Sequence, residues 1–288
     1  MEWIEKWTII LQLRFLINEV ITIMLNFSDN YTSHDENDVF ELAVLSVIGD
    51  RKEQQDRIGY SLKDSEGIAI ICDGMGGHQG GQLASTLAVE NFVEAYHSSN
   101  VNEDPQKFLL SVVGSLDKII AQLKNSDGSK MQAGSTLSAV MIQQQKLYWV
   151  SVGDSRVYVC RNNEFVCTTK DHTYKMLLDA KRSAGIISNE TYAREIKRGN
   201  VLVSFLGIDG LPYVDSNSAP LSLLTDDIIL IMSDGIYKIL TDDEIFAVLR
   251  KSNNIEKVLK NLYLVIQSKA VEKQKRKDNI SIAIIKIK

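Results

Sequence analysis

Cysteine, proline and histidine are all scarce in this chain, at three, three and four among 288 residues. The cysteines (Cys72, Cys160 and Cys167) are odd in number, far apart and without a CxxC pair. They argue against a disulfide framework and fit a reducing, cytoplasmic location. Cys72 and Cys160 sit inside apolar runs and read as small buried hydrophobes. So little proline, beside 17 glycines, excludes a collagen-like chain. There is no excess of positive charge either: 32 Lys and Arg against 37 Asp and Glu give a net −5. Nothing in that balance attracts nucleic acid or an anionic membrane. What remains is an ordinary globular mix, 44% hydrophobic and 24% charged, able to bury a core.

A basic leader is missing too. Glu2, Glu5 and Lys6 open the chain, and no small-residue cleavage site follows the apolar stretch 1–26, so a secretory signal is not expected. Arg14, Asn18 and Glu19 interrupt it as a membrane span. Glu5, Thr8, Gln12, Glu19, Thr22 and Asn26 recur at three-, four- and seven-residue intervals. That spacing predicts an amphipathic helix docked on the domain or on a partner, with weak membrane contact through residues 1–26 as the alternative. Residues 28–38 read as a polar linker. Residues 1–38 are thus a preface to one domain over 39–288.

From Val39 the pattern changes to short β-rich runs: FELAVLSVIG, GIAIICDGMGG, STLSAVMI, KLYWVSVG, RVYVCR, EFVCTT, DIILIMSDG and a closing ISIAIIKI. Helical spacing marks 82–97, 105–124, 242–251 and 255–269. Residues 172–198 look helical and polar, with a short strand near 200–204. Clustered strands in meanders, with helices in pairs, predict an α+β fold with antiparallel sheets.

Two segments share one construction. IAIIC and IILIM each run five apolar residues, and each is soon followed by Asp-Gly, at Asp73-Gly74 and Asp234-Gly235. A strand apolar on both faces is buried, so both aspartates emerge at the rim of a core, where an unpartnered carboxylate is costly. Either dipeptide alone would serve equally as a simple turn. The glycines let backbone, including the Gly74 carbonyl, approach a ligand closely. Asp154, Asp278 and Asp56 occupy comparable joints. If such carboxylates converge, each close pair repels by about 1 kcal/mol in water and about 4 kcal/mol at an effective dielectric of about 20. A cluster of that kind raises its pKa values or recruits cations. Without His or Cys at ligand spacing, aspartate oxygens select Mg²⁺ or Mn²⁺ over zinc.

The ordered set RKEQQD (51–56), DGMGGHQGG (73–81), GSTLSAV (134–140), GDSR (153–156), DHT (171–173), SDGI (233–236) and KDNIS (277–281) resembles the metal-dependent type 2C Ser/Thr protein phosphatases, the bacterial branch above all. The resemblance covers about residues 40–288. It implies a four-layer α-β-β-α sandwich of two antiparallel sheets, with a binuclear Mn²⁺/Mg²⁺ centre at one edge. By the same resemblance, Asp73 would bridge the two ions and the Gly74 carbonyl would ligate one. Asp234 and Asp278 would complete the other, with Asp56 in support directly or through water. Asp154 would share a third, weaker ion with Asp234, and Arg51 would grip the substrate phosphate. The implied activity is one-step hydrolysis of phosphoserine and phosphothreonine on proteins by a metal-bridging hydroxide, without a phosphoenzyme. Implied partners are phosphorylated proteins and an opposing Ser/Thr kinase, with the chain a monomer.

Departures and decoys were weighed beside it. Gln54 stands where the family often has Asn, and Met75 where many eukaryotic members place a general-acid His. His78 is a candidate acid, though a structural role in the glycine turn is the simpler reading. His172 reads as a loop-structuring residue at the start of a variable flap, about 172–213. The glycines at 74, 76 and 80 miss a dinucleotide-loop spacing by one residue. The KQKRK run at 273–277 reads as a solvated turn. Two other functions remain open on the same fold: a non-catalytic pseudophosphatase that binds partners, and a phosphatase of small metabolites.

Overall fold

A strand that is buried along nearly its whole length must be covered on both faces, and the central strands of this chain are of that kind. The computed structural model describes residues 8–14, 20–26, 29–77, 79–98 and 104–288. Strands β1 (Thr8–Arg14), β2 (Val20–Asn26), β3 (Asn30–Glu36), β4 (Phe40–Val47), β5 (Asp56–Leu62) and β6 (Gly67–Gly76) lead into helices α1 (Gly80–Ser98) and α2 (Pro105–Ala121). A meander follows through β7 (Ala133–Ser135), β8 (Leu137–Gln143), β9 (Lys146–Val152), β10 (Arg156–Arg161) and β11 (Glu164–Cys167). Helices α3 (Tyr174–Ser183) and α4 (Asn189–Glu195) and the short β12 (Asp215–Ser216) and β13 (Leu221–Ser222) come next. The chain closes with β14 (Ile228–Met232), α5 (Asp234–Tyr237), α6 (Asp242–Leu249), α7 (Ile255–Glu272) and β15 (Ile280–Ile287).

The strands form two sheets, every pairing antiparallel. One runs β1-β2-β5-β6-β8-β9-β12, with β7 on β6 and β13 on β9; the other runs β11-β10-β14-β15-β4-β3. Strand alternation divides the core into three slabs. Ala69 and Ile71 of β6 face Val44, Ile231 and Ala283 between the sheets. Ile68, Ile70 and Cys72 of the same strand turn outward under Phe92 and Leu116 of α1 and α2. Across the molecule, Leu45, Met232 and Ile282 pack under Ile245, Leu259 and Ile266 of α6 and α7. The result is the expected four-layer α-β-β-α sandwich.

The helix expected over residues 1–26 is not found where the structure describes them. Thr8–Arg14 and Val20–Asn26 are strands, paired from Thr8↔Asn26 to Arg14↔Val20, and β2 continues onto β5 through Met24↔Tyr60. The four-residue spacings Thr8 to Gln12 and Thr22 to Asn26 fit a period of two as well as one of 3.6. The odd positions 9, 11, 13, 21, 23 and 25 are all apolar, and that is the strand signal. The polar linker is corrected likewise. Asn30–Glu36 is β3, the outer partner of β4, with the partial exposure and polar composition of an edge strand. Position 38 falls in the β3–β4 turn, where the Asn37 carboxamide accepts from the backbone of Val39 and Phe40. Residues 1–7, 15–19 and 27–28 lie outside the described residues.

The strand expected near 200–204 is a single bridge, Thr173↔Leu202. The loop that follows it is fixed by Asp117 of α2, which is 3% exposed. Its carboxylate accepts from the backbone of Gly207 (2.8 Å), Asp209 (3.3 Å) and Gly210 (2.7 Å). At the start of α6, Thr241 and Glu244 form a reciprocal capping box, and Lys269 and Lys273 approach Glu244 at 3.2 and 3.3 Å.

Two outcomes follow from these contacts. Asp117→Ala orphans three backbone donors and is expected to lower unfolding free energy by about 2–4 kcal/mol, measured by urea denaturation. The Thr241 amide, helped by the two lysines, holds the Glu244 carboxyl down at about 2 from an ordinary 4.5. A depressed acid contributes stability above its unfolded pKa and loses it as pH falls through the folded one. Glu244→Gln should therefore flatten the fall in Tm between pH 4.5 and about 2.

Candidate metal centre

Alternation along the strands places the first two aspartates. Ile58, Tyr60 and Leu62 of β5 and Ala69 and Ile71 of β6 line the space between the sheets. Asp56 and Asp73 continue those rows at one end of the sandwich, directly opposite each other in register. Asp234 follows β14 as the first residue of α5. Asp278 precedes β15, and Asp154 lies in the β9–β10 turn. A cavity of about 870 Å³ gathers Arg51, Asp73, Gly74, Asp154, Asp234 and Asp278 in its lining. Asp56 lies behind it, 1% exposed.

The backbone around each carboxylate is pinned. The Asp73 N–H donates to the Thr136 hydroxyl at 3.0 Å, and the Thr136 N–H returns to the Asp73 carbonyl at 2.8 Å. The Ser233 hydroxyl donates to Asp56 Oδ2 at 2.7 Å while accepting from the Ser281 N–H at 3.0 Å. Asn279 ties the loop bearing Arg51 to β15: its Oδ1 accepts from the Gln55 N–H at 2.9 Å, and its Nδ2 donates to the Ile48 and Glu53 carbonyls. Two glycines are required by close approach. A Cβ on Gly74 would lie 2.1 Å from the Gly81 carbonyl oxygen, and one on Gly235 would lie 2.0 Å from that of Asn279.

Burial, then mutual repulsion, raises the acids. Asp73 is held well above the usual carboxylate range, by burial and then by Asp56, Asp234, Asp154 and Asp278. Burial pushes Asp56 up to about 7, the Ser233 hydrogen bond notwithstanding. Asp154 is raised to about 6 by burial and the neighbouring Asp234. Asp234 is raised by burial and relieved by Lys238.

These residues fit hard divalent cations. The cluster is all carboxylate oxygen, and Asp56 Oδ1 is buried without a hydrogen-bond partner, an acceptor awaiting a cation. Among the described residues no three His, Cys, Asp or Glu side chains form a ready-made ligand group. Two carboxylates instead face side-chain cations. Arg51 holds Asp278 in a two-pronged pair, Nε to Oδ1 and Nη2 to Oδ2, each at 2.6 Å. The Lys238 ammonium bonds Asp234 Oδ2.

The remaining sequence candidates fall into place around the cavity. Gln54, 2% exposed, uses its longer side chain to donate to the Ser46 hydroxyl at 2.9 Å and accept from the Asp56 N–H at 3.3 Å. Met75 lines the cavity. His78 lies outside the described residues. His172 structures its loop: its Nδ1 accepts from the Gly153 N–H at 3.2 Å, and burial lowers its pKa. Cys72 is buried, and Cys160 is partly so. The KQKRK run is an exposed turn from Lys273 to Arg276, as expected, and its cations also reach backbone carbonyls. Lys273 reaches the Ile239 carbonyl at 2.7 Å, Lys275 that of Lys238 and Arg276 that of Asp50, while Arg276 and Lys277 line the cavity.

Three contributors escape sequence reasoning. Arg57, 2% exposed, donates to the Gln54 and Asp56 carbonyls and to Thr86 on α1, fixing the start of β5. Tyr237 donates to the Asp154 carbonyl at 2.9 Å beneath Arg156, whose guanidinium lies 3.7 Å from the ring centre. Arg156 is clamped in turn by Asp171, at 2.8 and 2.7 Å, so the GDSR and DHT motifs meet in one ion pair. Lys238 is the third. Its position four residues after Asp234, one helical turn on, was the available signal.

Comparison with known proteins agrees with this architecture. The family model described as protein phosphatase 2C matches residues 33–184. The serine/threonine phosphatase Stp of Listeria monocytogenes serotype 4b is 30% identical over 209 residues, covering 71% of this chain and 81% of the relative. The solved serine/threonine phosphatase of S. agalactiae superposes with a TM-score of 0.74 at 24% identity, over 86% of this chain and 100% of that one. The catalytic domain of the phosphatase PstP, solved in complex with 2 manganese ions, gives 0.67 at 22% identity, over 86% and 98%. The chain belongs to the protein phosphatase 2C family.

Proposed function

We propose that this chain hydrolyses phosphoserine and phosphothreonine on proteins with two Mn²⁺ or Mg²⁺ ions held by its aspartate cluster. The carrying observation is the convergence of five aspartates at one end of the sandwich, with one buried carboxylate oxygen of Asp56 unsatisfied. Asp73 would bridge the ions, the Gly74 carbonyl would serve one, and Asp234 with Asp278 the other. Asp56 would support them from behind. The relatives named as serine/threonine phosphatases support the substrate class, which makes the products of a Ser/Thr kinase the natural targets.

Bound divalent ions would lower the pKa of a coordinated water and offset charge at phosphorus. The protein's own part is positional. The close approaches at Gly74 and Gly235 and the hydroxyl contacts from Thr136 and Ser233 fix the carboxylates before substrate arrives, so little reorganisation is left for the reaction. Arg51 brings a planar two-pronged donor to the rim. Its two-pronged grip on Asp278 supports a matching grip on two phosphate oxygens.

Turnover of p-nitrophenyl phosphate and of a phosphothreonine peptide is expected with Mn²⁺ and lost in EDTA. Asp234→Asn should lower kcat by about 100-fold or more. Absence of metal-dependent turnover in pure wild type would overturn the assignment. Turnover of p-nitrophenyl phosphate alone would redirect it to small phosphoesters. Arg51→Ala removes charge-assisted bonds of about 1.5–3 kcal/mol and is expected to raise KM for the phosphopeptide by about 10–100-fold.

A further inference from the structure

Asp154 and Asp234 are the two acids that the family resemblance would assign to a third, weaker ion. In this chain a side-chain cation already bonds one of them and shares a cavity with both. Lys238 follows the one-turn helix α5, and its backbone N–H donates to the Asp234 carbonyl at 3.0 Å. The four-residue separation puts the two side chains on one face, and the ammonium bonds Asp234 Oδ2. Asp154 is drawn to the same place from the other side: the neighbouring Tyr237 hydroxyl donates to its backbone carbonyl at 2.9 Å. Asp154, Asp234 and Lys238 all line one cavity, and Lys238 feels the charge of both acids. The Lys238 backbone is held as well, since its carbonyl accepts from the Lys275 ammonium.

We propose that Lys238 is a built-in counter-cation for the Asp154–Asp234 pair, occupying in this chain the position where a third divalent ion would otherwise bind. The proposal rests on the two-ion reading of the preceding subsection. Its chemistry is charge substitution. A tethered +1 charge on Asp234 Oδ2 repels a divalent ion from the Asp154–Asp234 pair, while the ion that Asp234 would share with Asp278 keeps the other carboxylate oxygen. The ammonium is present before any metal arrives, so the fold has part of its repulsion compensated in the metal-free protein.

The test counts ions instead of turnover. EDTA-stripped full-length protein is equilibrated with Mn²⁺ into the millimolar range by dialysis, and bound Mn²⁺ per chain is measured. Wild type and Lys238→Arg are expected to saturate at two. Lys238→Ala and the length-preserving Lys238→Gln are expected to bind a third, weaker ion, which Asp154→Asn removes again in the Lys238→Gln background. A third ion in wild type, or two ions in every variant, would overturn the counter-cation role while leaving the two-ion reading intact. Failure of wild type to bind Mn²⁺ would remove both. Thermal unfolding supplies a second readout. In EDTA, Lys238→Gln is expected to melt several degrees below wild type, with the gap closing in saturating Mn²⁺. A gap that persists with metal would mark a merely structural lysine and overturn the proposal.

Discussion

Repulsion among carboxylates crowded at the end of an apolar sandwich is the constraint around which this molecule is organised. Asp56 and Asp73 face each other across two strands, and Asp154, Asp234 and Asp278 converge on the same cavity. Folding takes these groups out of water with too few donors to satisfy them. Much of the surrounding chemistry answers that cost. Ser233 donates to one oxygen of Asp56, Arg51 pairs with Asp278, and Lys238 pairs with Asp234. Burial and the charges of their neighbours hold Asp73 and Asp56 far above their ordinary range.

The two sheets tolerate this because strain is confined to their rim. Behind Asp56 and Asp73, the slab between the sheets is apolar, from Ile58 and Ile71 through to Ile285. The loops that carry the other acids are fastened to one another more than to the core. Asn279 bonds three backbone groups of the segment holding Arg51. Asp171 clamps Arg156, and Arg156 covers the Tyr237 ring. Motifs far apart in sequence thus move as one piece. Acidic chemistry sits on a rigid frame although Asp154 and Asp278 come from loops.

The fold was legible wherever a run of residues obeyed a single period. Ile68 to Cys72 and Ile228 to Met232 are apolar without interruption, a pattern that belongs to strands buried on both faces. The Asp-Gly endings of two such runs mark where polar chemistry surfaces. Residues 8–26 were misread because a four-residue spacing of polar side chains serves a helix and a strand alike, and the alternation of Ile9, Leu11 and Leu13 carried the deciding information. The partners of the acids were less legible. Arg57 joins the backbone before it to the Thr86 hydroxyl on α1 and Tyr237 reaches the carbonyl of the distant Asp154, and Asp117 reads as one more surface acid of a helix until the Gly207–Gly210 loop folds over it. Only Lys238 left a local trace, the helical spacing from Asp234.

The edge strands have a consequence for the life of the protein outside its chemistry. β5 is buried along its whole length and β4 nearly so, and each is paired on its outer side by a strand from the first 36 residues, β2 on one sheet and β3 on the other. A chain lacking those residues would bare two long apolar rows of unpaired amides and carbonyls, the kind of template on which sheets of separate molecules join. The N-terminal strands therefore act as selvedges: they finish the cloth, covering the backbone edges of β5 and β4.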